Sequence, residues 1–152
     1  MPKFAVADSV PAQQSALLKR VQEILGVHRL RSEQDLVRLV EAGLATATLE
    51  GLRRSGLTDE ELYELIVPRR TLTHRRARRE TLSQEESDRV VRLARIAALS
   101  VQVFGERERA WRWLRARQRQ FRDRSPLQLL STETGARLVE EQLYRIDEGM
   151  AA

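Results

Sequence analysis

The sequence contains no cysteine, which excludes disulfide bridges, cysteine-based zinc sites, iron–sulfur clusters and thiol catalysis. Glycine and proline are scarce, with 7 and 4 residues, and aromatic residues make up only 5% of the chain. A β-sandwich or barrel needs many turns and many β-branched or aromatic residues, so this composition favours an all-α fold. Long hydrophobic runs are also missing. The most apolar segment, residues 96–104, is interrupted by Ser100 and Gln102 and is too short to cross a bilayer.

Charged residues, by contrast, are abundant in the chain. Lysine and arginine account for 27 of the 152 residues and aspartate and glutamate for 22, which gives a formal net charge of +5. A basic balance of this kind points to a polyanion or an acidic protein as partner. The N-terminus has one lysine and no long apolar core, so it does not read as a secretory signal. We therefore expect a cytoplasmic protein without a membrane partner.

Capping residues and glycine stops divide the chain into helices. The predicted helices cover about 11–26, 32–43, 46–56, 59–66, 69–79, 83–104, 106–118 and 131–149, with a short turn at 125–130. Thr58 with Glu61, and Ser83 with Glu86, have the spacing of capping boxes. In the second helix, the apolar face is predicted to contain Leu36, Val37 and Val40.

Catalytic and metal-binding patterns are missing from the sequence. His28 and His74 lie on different elements, and neither has a carboxylate at ligand spacing. The acidic clusters fall in first helical turns, where the helix dipole favours anions. No glycine-rich phosphate loop and no plausible Ser–His–Asp set is present. We expect neither an enzyme nor a cofactor.

The segment 56–79 has the pattern of a helix-turn-helix motif. A capped two-turn helix is followed by a tight turn with Pro68 and then by an arginine-rich helix, which would enter the major groove. Val67 stands where many such motifs have glycine. The alternative is a solvated basic helix that docks on other helices or on an acidic protein. The candidate DNA-binding residues are Arg69, Arg70, Thr71, Thr73, His74, Arg75, Arg76, Arg78 and Arg79.

A second basic run extends from Arg107 to Arg124 and is interleaved with aromatic residues. Trp111 continues the apolar stripe of the preceding helix and is predicted to lie in the core, whereas Trp113 lies off the stripe and is predicted to be half exposed. The run is either a structural helix with a solvated arginine face or a ligand-binding surface.

The longest predicted helix, 83–104, has small residues along its apolar face. Ala94, Ala97 and Ala98 permit close approach of another helix, and helix-turn-helix proteins commonly bind two half-sites as dimers. This face is therefore predicted to form a homodimer. The alternative is that it belongs only to the core of one chain.

Several short motifs follow one another in the second half of the chain. They are Arg70-Thr71-Leu72, Leu82 to Ser87, Pro126 to Leu130, Thr132 to Gly135, and Leu143-Tyr144-Arg145-Ile146 with Gly149. This series resembles the Xre/MbcA/ParS-type antitoxins over about residues 44–149. Many members have a Pro-Asn pair and a later Gly-Gly after the position of Leu114, where this chain has an Arg- and Gln-rich stretch without glycine.

The resemblance implies a helical N-terminal DNA-binding part, a dimerising middle and a C-terminal toxin-binding part. On this basis, we expect a helix-turn-helix domain at 32–81 and a dimerisation and toxin-binding domain at 82–152. The N-terminal helical segment at 1–31 lies outside the resemblance and reads as one amphipathic helix, a packing or dimer element rather than a separate module. The implied partners are a RES-domain toxin that depletes NAD, whose substrate entrance the antitoxin blocks, and the antitoxin's own operator DNA. The implied assembly is a homodimer within a larger complex. The expected toxin-binding residues are Glu141, Tyr144, Arg145, Asp147, Glu148 and Gly149. The alternative is a free-standing helix-turn-helix regulator without a toxin.

Overall fold

The computed structural model describes residues 9–149, which form nine α-helices, one 3-10 turn and no β-strand. The helices are α1 (Ser9–Leu25), α2 (Glu33–Ala42), α3 (Thr48–Ser55), α4 (Asp59–Leu65), α5 (Arg69–Ala77), α6 (Gln84–Phe104), α7 (Arg107–Arg115), α8 (Pro126–Leu129) and α9 (Glu133–Asp147). The predicted all-α fold is confirmed.

Both predicted capping boxes are present, and they fix where α4 and α6 begin. The Ser83 hydroxyl accepts a hydrogen bond from the Glu86 amide at 3.1 Å, and the Glu86 carboxylate accepts one from the Ser83 amide at 3.1 Å. The corresponding distances between Thr58 and Glu61 are 3.2 and 2.9 Å. Each box satisfies two amides that the first turn would otherwise leave without a partner.

Helix α6 is the centre of the fold and packs against α1, α2, α3, α7 and α9. Its Val90 and Ala94 are 0% exposed, as are Leu114 of α7 and Leu143 of α9. A single apolar core extends from Val21 of α1 to Leu143. The N-terminal and C-terminal helices are therefore assembled on one shared helix.

The predicted dimer face on the long helix is wrong. Ala94, Ala97 and Ala98 are only 0%, 2% and 1% exposed within a single chain. Five helices of the same chain, α1, α2, α3, α7 and α9, pack on α6, and these small residues are buried without a second protomer. Close helix approach does occur along this face, but it occurs inside one protomer.

The N-terminal helix α1 is a packing element. Val21 and Leu25 are 1% and 2% exposed, and α1 packs on both α3 and α6. Its contact with α3 depends on Gly51, where an added Cβ would lie 1.7 Å from the carbonyl oxygen of Ile24. Because that oxygen belongs to the backbone of α1, only glycine permits this helix–helix distance.

Some predicted positions and boundaries differ from the structure. Val37 is 52% exposed, because its neighbour Leu36, at 2% exposed, takes the inward position on α2. The fifth helix ends at Ala77, and Arg79 adopts a left-handed conformation with φ of 55°. This reversal leads the chain back to the core, where the Leu82 amide donates to the Leu44 carbonyl oxygen at 2.8 Å.

The seventh helix also ends earlier than predicted, at Arg115. Gln118 is instead bridged to Arg124 in antiparallel fashion, which closes a short loop. Phe121 is 8% exposed at the centre of this loop and packs into the core. Burial of one aromatic side chain thus takes precedence over continued helix formation.

Candidate DNA-binding and toxin-binding surfaces

The three residues between α4 and α5 form a turn whose conformation is fixed by burial. Ile66 and Val67 are 2% and 0% exposed, and Pro68 occupies the N-cap position of α5. From α6, the Arg89 guanidinium donates to the Ile66 carbonyl oxygen at 3.1 Å. These contacts hold α4 and α5 as the two helices of a helix-turn-helix motif. Val67 functions as a core residue of the turn.

Leu72 of α5 packs in the core and is 2% exposed, whereas most other side chains of this helix are exposed to solvent. Of the nine predicted DNA-binding residues, only Thr71 and Arg75 are partly buried; the others are exposed. The Thr73 hydroxyl donates to the Arg69 carbonyl oxygen of its own helix at 2.9 Å. The structure therefore places a largely polar, cationic surface along this helix.

Arg75 differs from the other arginines of α5 because it is bound to the start of α6. Its Nε and Nη2 lie 3.0 and 2.7 Å from the two carboxylate oxygens of Glu86, which is 7% exposed. Burial alone would raise the pKa of Glu86, but the hydrogen bonds from Arg75 and Ser83 outweigh it, so that pKa lies below its ordinary value. Arg75 thus holds α5 against α6, a role that its sequence context did not indicate.

The remaining arginines differ in how firmly they are paired. Arg76 lies 3.4 Å from Glu50 of α3, and Arg78 lies 3.9 Å from Glu80. Exposed pairs at such distances are weak. Three guanidinium groups of the α5 segment form no ion pair within residues 9–149. They belong to Arg69, Arg70 and Arg79.

Helix α9 is buried along one face only. Val139 and Leu143 are 0% exposed, whereas Tyr144 and Leu138 are 42% and 48% exposed. The residues expected to bind a toxin all lie on the exposed part of α9 or at its end: Glu141, Tyr144, Arg145, Asp147, Glu148 and Gly149. Sequence reasoning missed Leu138, although its position beside the buried stripe, with no predicted core partner, was a usable signal.

An open groove of about 750 Å³ runs between α1, α2, α6 and α9. Apolar side chains that include Leu36 and Ile96 line its floor, and Val37 and Tyr144 lie at its margin. Partial burial raises the pKa of the Tyr144 phenol, and the nearby carboxylates of Glu140 and Asp147 raise it further. The phenol is therefore a neutral hydrogen-bond donor at physiological pH.

Residues 9–149 contain neither a metal-binding cluster nor a membrane-spanning helix. Their histidine and acidic side chains do not gather anywhere in a group that could hold a metal ion. None of the helices in this part of the chain has the length and apolarity needed to cross a membrane.

Comparison with known proteins agrees with this division into two surfaces. Residues 35–95 match the antitoxin Xre-like helix-turn-helix domain, and residues 100–149 match the antitoxin Xre/MbcA/ParS C-terminal toxin-binding domain. Over 130 residues the chain is 36% identical to antitoxin Xre of Pseudomonas putida, covering 86% of this chain and 82% of that protein. The chain belongs to the Xre antitoxin family. A second antitoxin Xre, from Yersinia enterocolitica, is 35% identical over 85 residues, covering 55% of this chain and 57% of that protein.

The resemblance inferred from the sequence is thereby confirmed, and the protein is an antitoxin with a helix-turn-helix region and a toxin-binding region. Helix α6 begins inside the first matched region and ends inside the second. The α4–α5 turn falls in the helix-turn-helix match, and α9 falls in the toxin-binding match.

The two matched regions of the antitoxin also meet where α7 packs on α3 and α4. The Trp111 indole N–H donates to the Ser55 carbonyl oxygen at 2.6 Å, and this side chain is 4% exposed, as predicted. The Arg115 guanidinium donates to the Gly56 carbonyl oxygen and to Glu61, both at 2.7 Å, and stacks over Trp111 at 4.9 Å. These contacts, together with α6, fix the start of α4 relative to the toxin-binding region.

Proposed function

We propose that the antitoxin neutralises a RES-domain toxin by covering its active-site entrance and represses its own synthesis by binding its operator. We assign DNA recognition to residues 32–81, and dimerisation and toxin binding to residues 82–152. The main observation that supports this proposal is that two exposed surfaces of different chemistry lie on one core. Helix α5 is cationic, whereas α9 combines exposed apolar and charged side chains.

The proposed DNA contact uses α5 as the recognition helix. Arg69, Arg70 and Arg79 are exposed and make no ion pair within the described part of the chain, so phosphate binding would not require a protein ion pair to break. Thr73 and His74 are exposed on the same helix and have the donors and acceptors that base edges require. We do not assign a base contact to Arg75, because this residue holds α5 in place.

The proposed toxin contact is centred on Tyr144 and Arg145 of α9. Tyrosine and arginine are enriched among residues that dominate binding energies. The exposed side chain of Leu138 adds apolar area to this surface. The last residues, 150–152, lie outside the described residues, and the family resemblance suggests that this end approaches the toxin's NAD entrance.

The proposed assembly is a homodimer, because helix-turn-helix proteins commonly bind two half-sites related by a two-fold axis. Ala94, Ala97 and Ala98 of α6 are buried within the protomer, so the dimer surface would use other residues. An operator as ligand implies that the antitoxin acts in the cytoplasm. Light scattering of the purified protein would test the dimer, and a monomeric mass would contradict it.

The toxin assignment is tested by growth rescue. The antitoxin is co-expressed with the product of the reading frame adjacent to its gene, as wild type or with Tyr144→Ala and Arg145→Ala together. We expect the double variant to protect cells less well, because two central contacts are lost. A matched control replaces two exposed residues of α1 and α2, Arg20→Ala and Arg38→Ala.

Equal rescue by the double variant and the wild type would contradict the assignment to α9. If the wild type binds DNA but neutralises no adjacent product, the proposed toxin contact is contradicted and the alternative of a free-standing regulator is favoured. DNA binding itself is tested by gel retardation of the region upstream of its gene. Arg69→Ala with Arg70→Ala should lower the salt slope of the binding constant by about two, since each phosphate contact contributes about 0.9.

A further inference from the structure

Residues 116–124, here called the basic loop, carry four arginines and one acidic residue, Asp123. The arginines are all exposed, and none forms an ion pair within residues 9–149. They are Arg117, Arg119, Arg122 and Arg124. Arg124 donates to the Gln128 carbonyl oxygen at 3.3 Å, whereas the other three guanidinium groups make no hydrogen bond within residues 9–149. A cluster of cations without ion pairs raises the local positive potential.

The basic loop has a defined shape. The Gln118 amide donates to the Arg124 carbonyl oxygen at 3.1 Å, and the Asp123 amide donates back to the Gln118 carbonyl oxygen at 3.0 Å. Phe121 is buried beneath the loop. Arg122 and Asp123 both adopt left-handed backbone conformations, with φ of 54° and 60°. Residues other than glycine adopt this backbone conformation only where surrounding contacts hold it. The arginines therefore extend from a fixed backbone.

The residues that flank the basic loop lie near α4, the helix that precedes the recognition helix. On the N-terminal side, Arg115 donates to the Glu61 carboxylate of α4 at 2.7 Å. On the C-terminal side, Leu127 and Gln128 line a small cleft together with Glu64 of α4. In helix-turn-helix complexes the first helix crosses the DNA backbone while the second enters the major groove. The flanking residues therefore place the loop near the helix that would lie along the phosphates.

We propose that the basic loop is a second DNA-binding element, which contacts backbone phosphates flanking the bases that α5 reads. This inference rests on the proposed DNA binding by α5. The chemistry favours nucleic acid over a protein partner, because four of the exposed side chains are guanidinium groups, Asp123 is the one exposed carboxylate, and the one aromatic ring is buried. Guanidinium groups form charge-assisted, often bidentate hydrogen bonds with phosphate.

The experiment compares the salt dependence of DNA binding for two charge-matched triple variants of the full chain. The loop variant carries Arg117→Gln, Arg119→Gln and Arg124→Gln, which leaves the left-handed Arg122 unchanged. The control variant carries Arg20→Gln, Arg31→Gln and Arg38→Gln, which are exposed around α1 and α2. The probe is a duplex from the region upstream of the antitoxin gene, and circular dichroism verifies that both variants fold.

We expect the loop variant to lower the slope of log K against log salt by up to about three, at about 0.9 per lost phosphate contact, and the control to keep the wild-type slope. A loop variant with the wild-type slope overturns the inference, while a slope lowered by about two for Arg69→Ala with Arg70→Ala in the same assay leaves the proposed DNA binding by α5 intact. If the wild type itself does not bind, both fail. An unchanged slope with impaired growth rescue would assign the loop to the toxin instead.

Discussion

Replacing Gly51 by alanine tests the packing of α1 on α3, because helix propensity and tertiary structure give opposite signs. In an isolated helix, Gly→Ala stabilises by about 1 kcal/mol. In the antitoxin, the new Cβ would lie 1.7 Å from the Ile24 carbonyl oxygen, so α1 must move away by more than 1 Å. Such overpacking costs about 1–3 kcal/mol, and separation also loosens Val21 from its neighbours. We expect a net loss of about 2 kcal/mol in the free energy of unfolding.

Urea denaturation followed by circular dichroism measures this difference. In a thermal scan, the same loss should lower the Tm by about 4–8 °C for a chain of this size. Arg54→Ala is the matched control in α3, because Arg54 is exposed, and it should change the stability by less than about 0.5 kcal/mol. If Gly51→Ala were neutral or stabilising, the close contact between α1 and α3 would be refuted.

Two further predictions concern the contacts around the helix-turn-helix. Because the folded-state pKa of Glu86 is lowered, its contribution to stability is present at neutral pH and is lost as the pH falls below about 4.5. Glu86→Gln should therefore flatten the decline in urea stability between pH 6 and pH 3, and an unchanged decline would contradict this role. Trp111→Phe should lower the free energy of unfolding by about 1–2 kcal/mol, because it leaves the Ser55 carbonyl oxygen without its indole donor. Trp113→Phe, at a half-buried position, is the control, and equal losses would argue against the hydrogen bond.

Local signals predicted the helices well. The Thr58–Glu61 and Ser83–Glu86 boxes lie within single helical turns, so neighbouring residues alone determine them. Helix ends were predicted less well, because the backbone conformations at Arg79 and Phe121 depend on contacts with distant parts of the fold. The chain reverses after α5 to reach Leu44, and burial of Phe121 ends the regular helix early.

Periodicity identified the apolar faces but not what covers them. The alanine stripe of α6 was compatible with a second protomer or with the same chain, and only the placement of the other helices around α6 decides between them. The arginines of α5 present a similar case. Arg69 and Arg75 look alike in the sequence, yet only Arg75 reaches Glu86, because α6 begins beside the last turn of α5. Which cation remains available to a ligand is thus a tertiary property.

Helix α6 passes through both matched regions, and this continuity links their stabilities. A cut between residues 95 and 100 would divide a fully buried helical segment, so we expect neither piece to fold alone. If the chain unfolds as one cooperative unit, a ligand bound at either surface stabilises the whole protein. A partner at a hundred times its Kd on α9 would add about 2.7 kcal/mol to the stability of the helix-turn-helix as well, without any change in its shape.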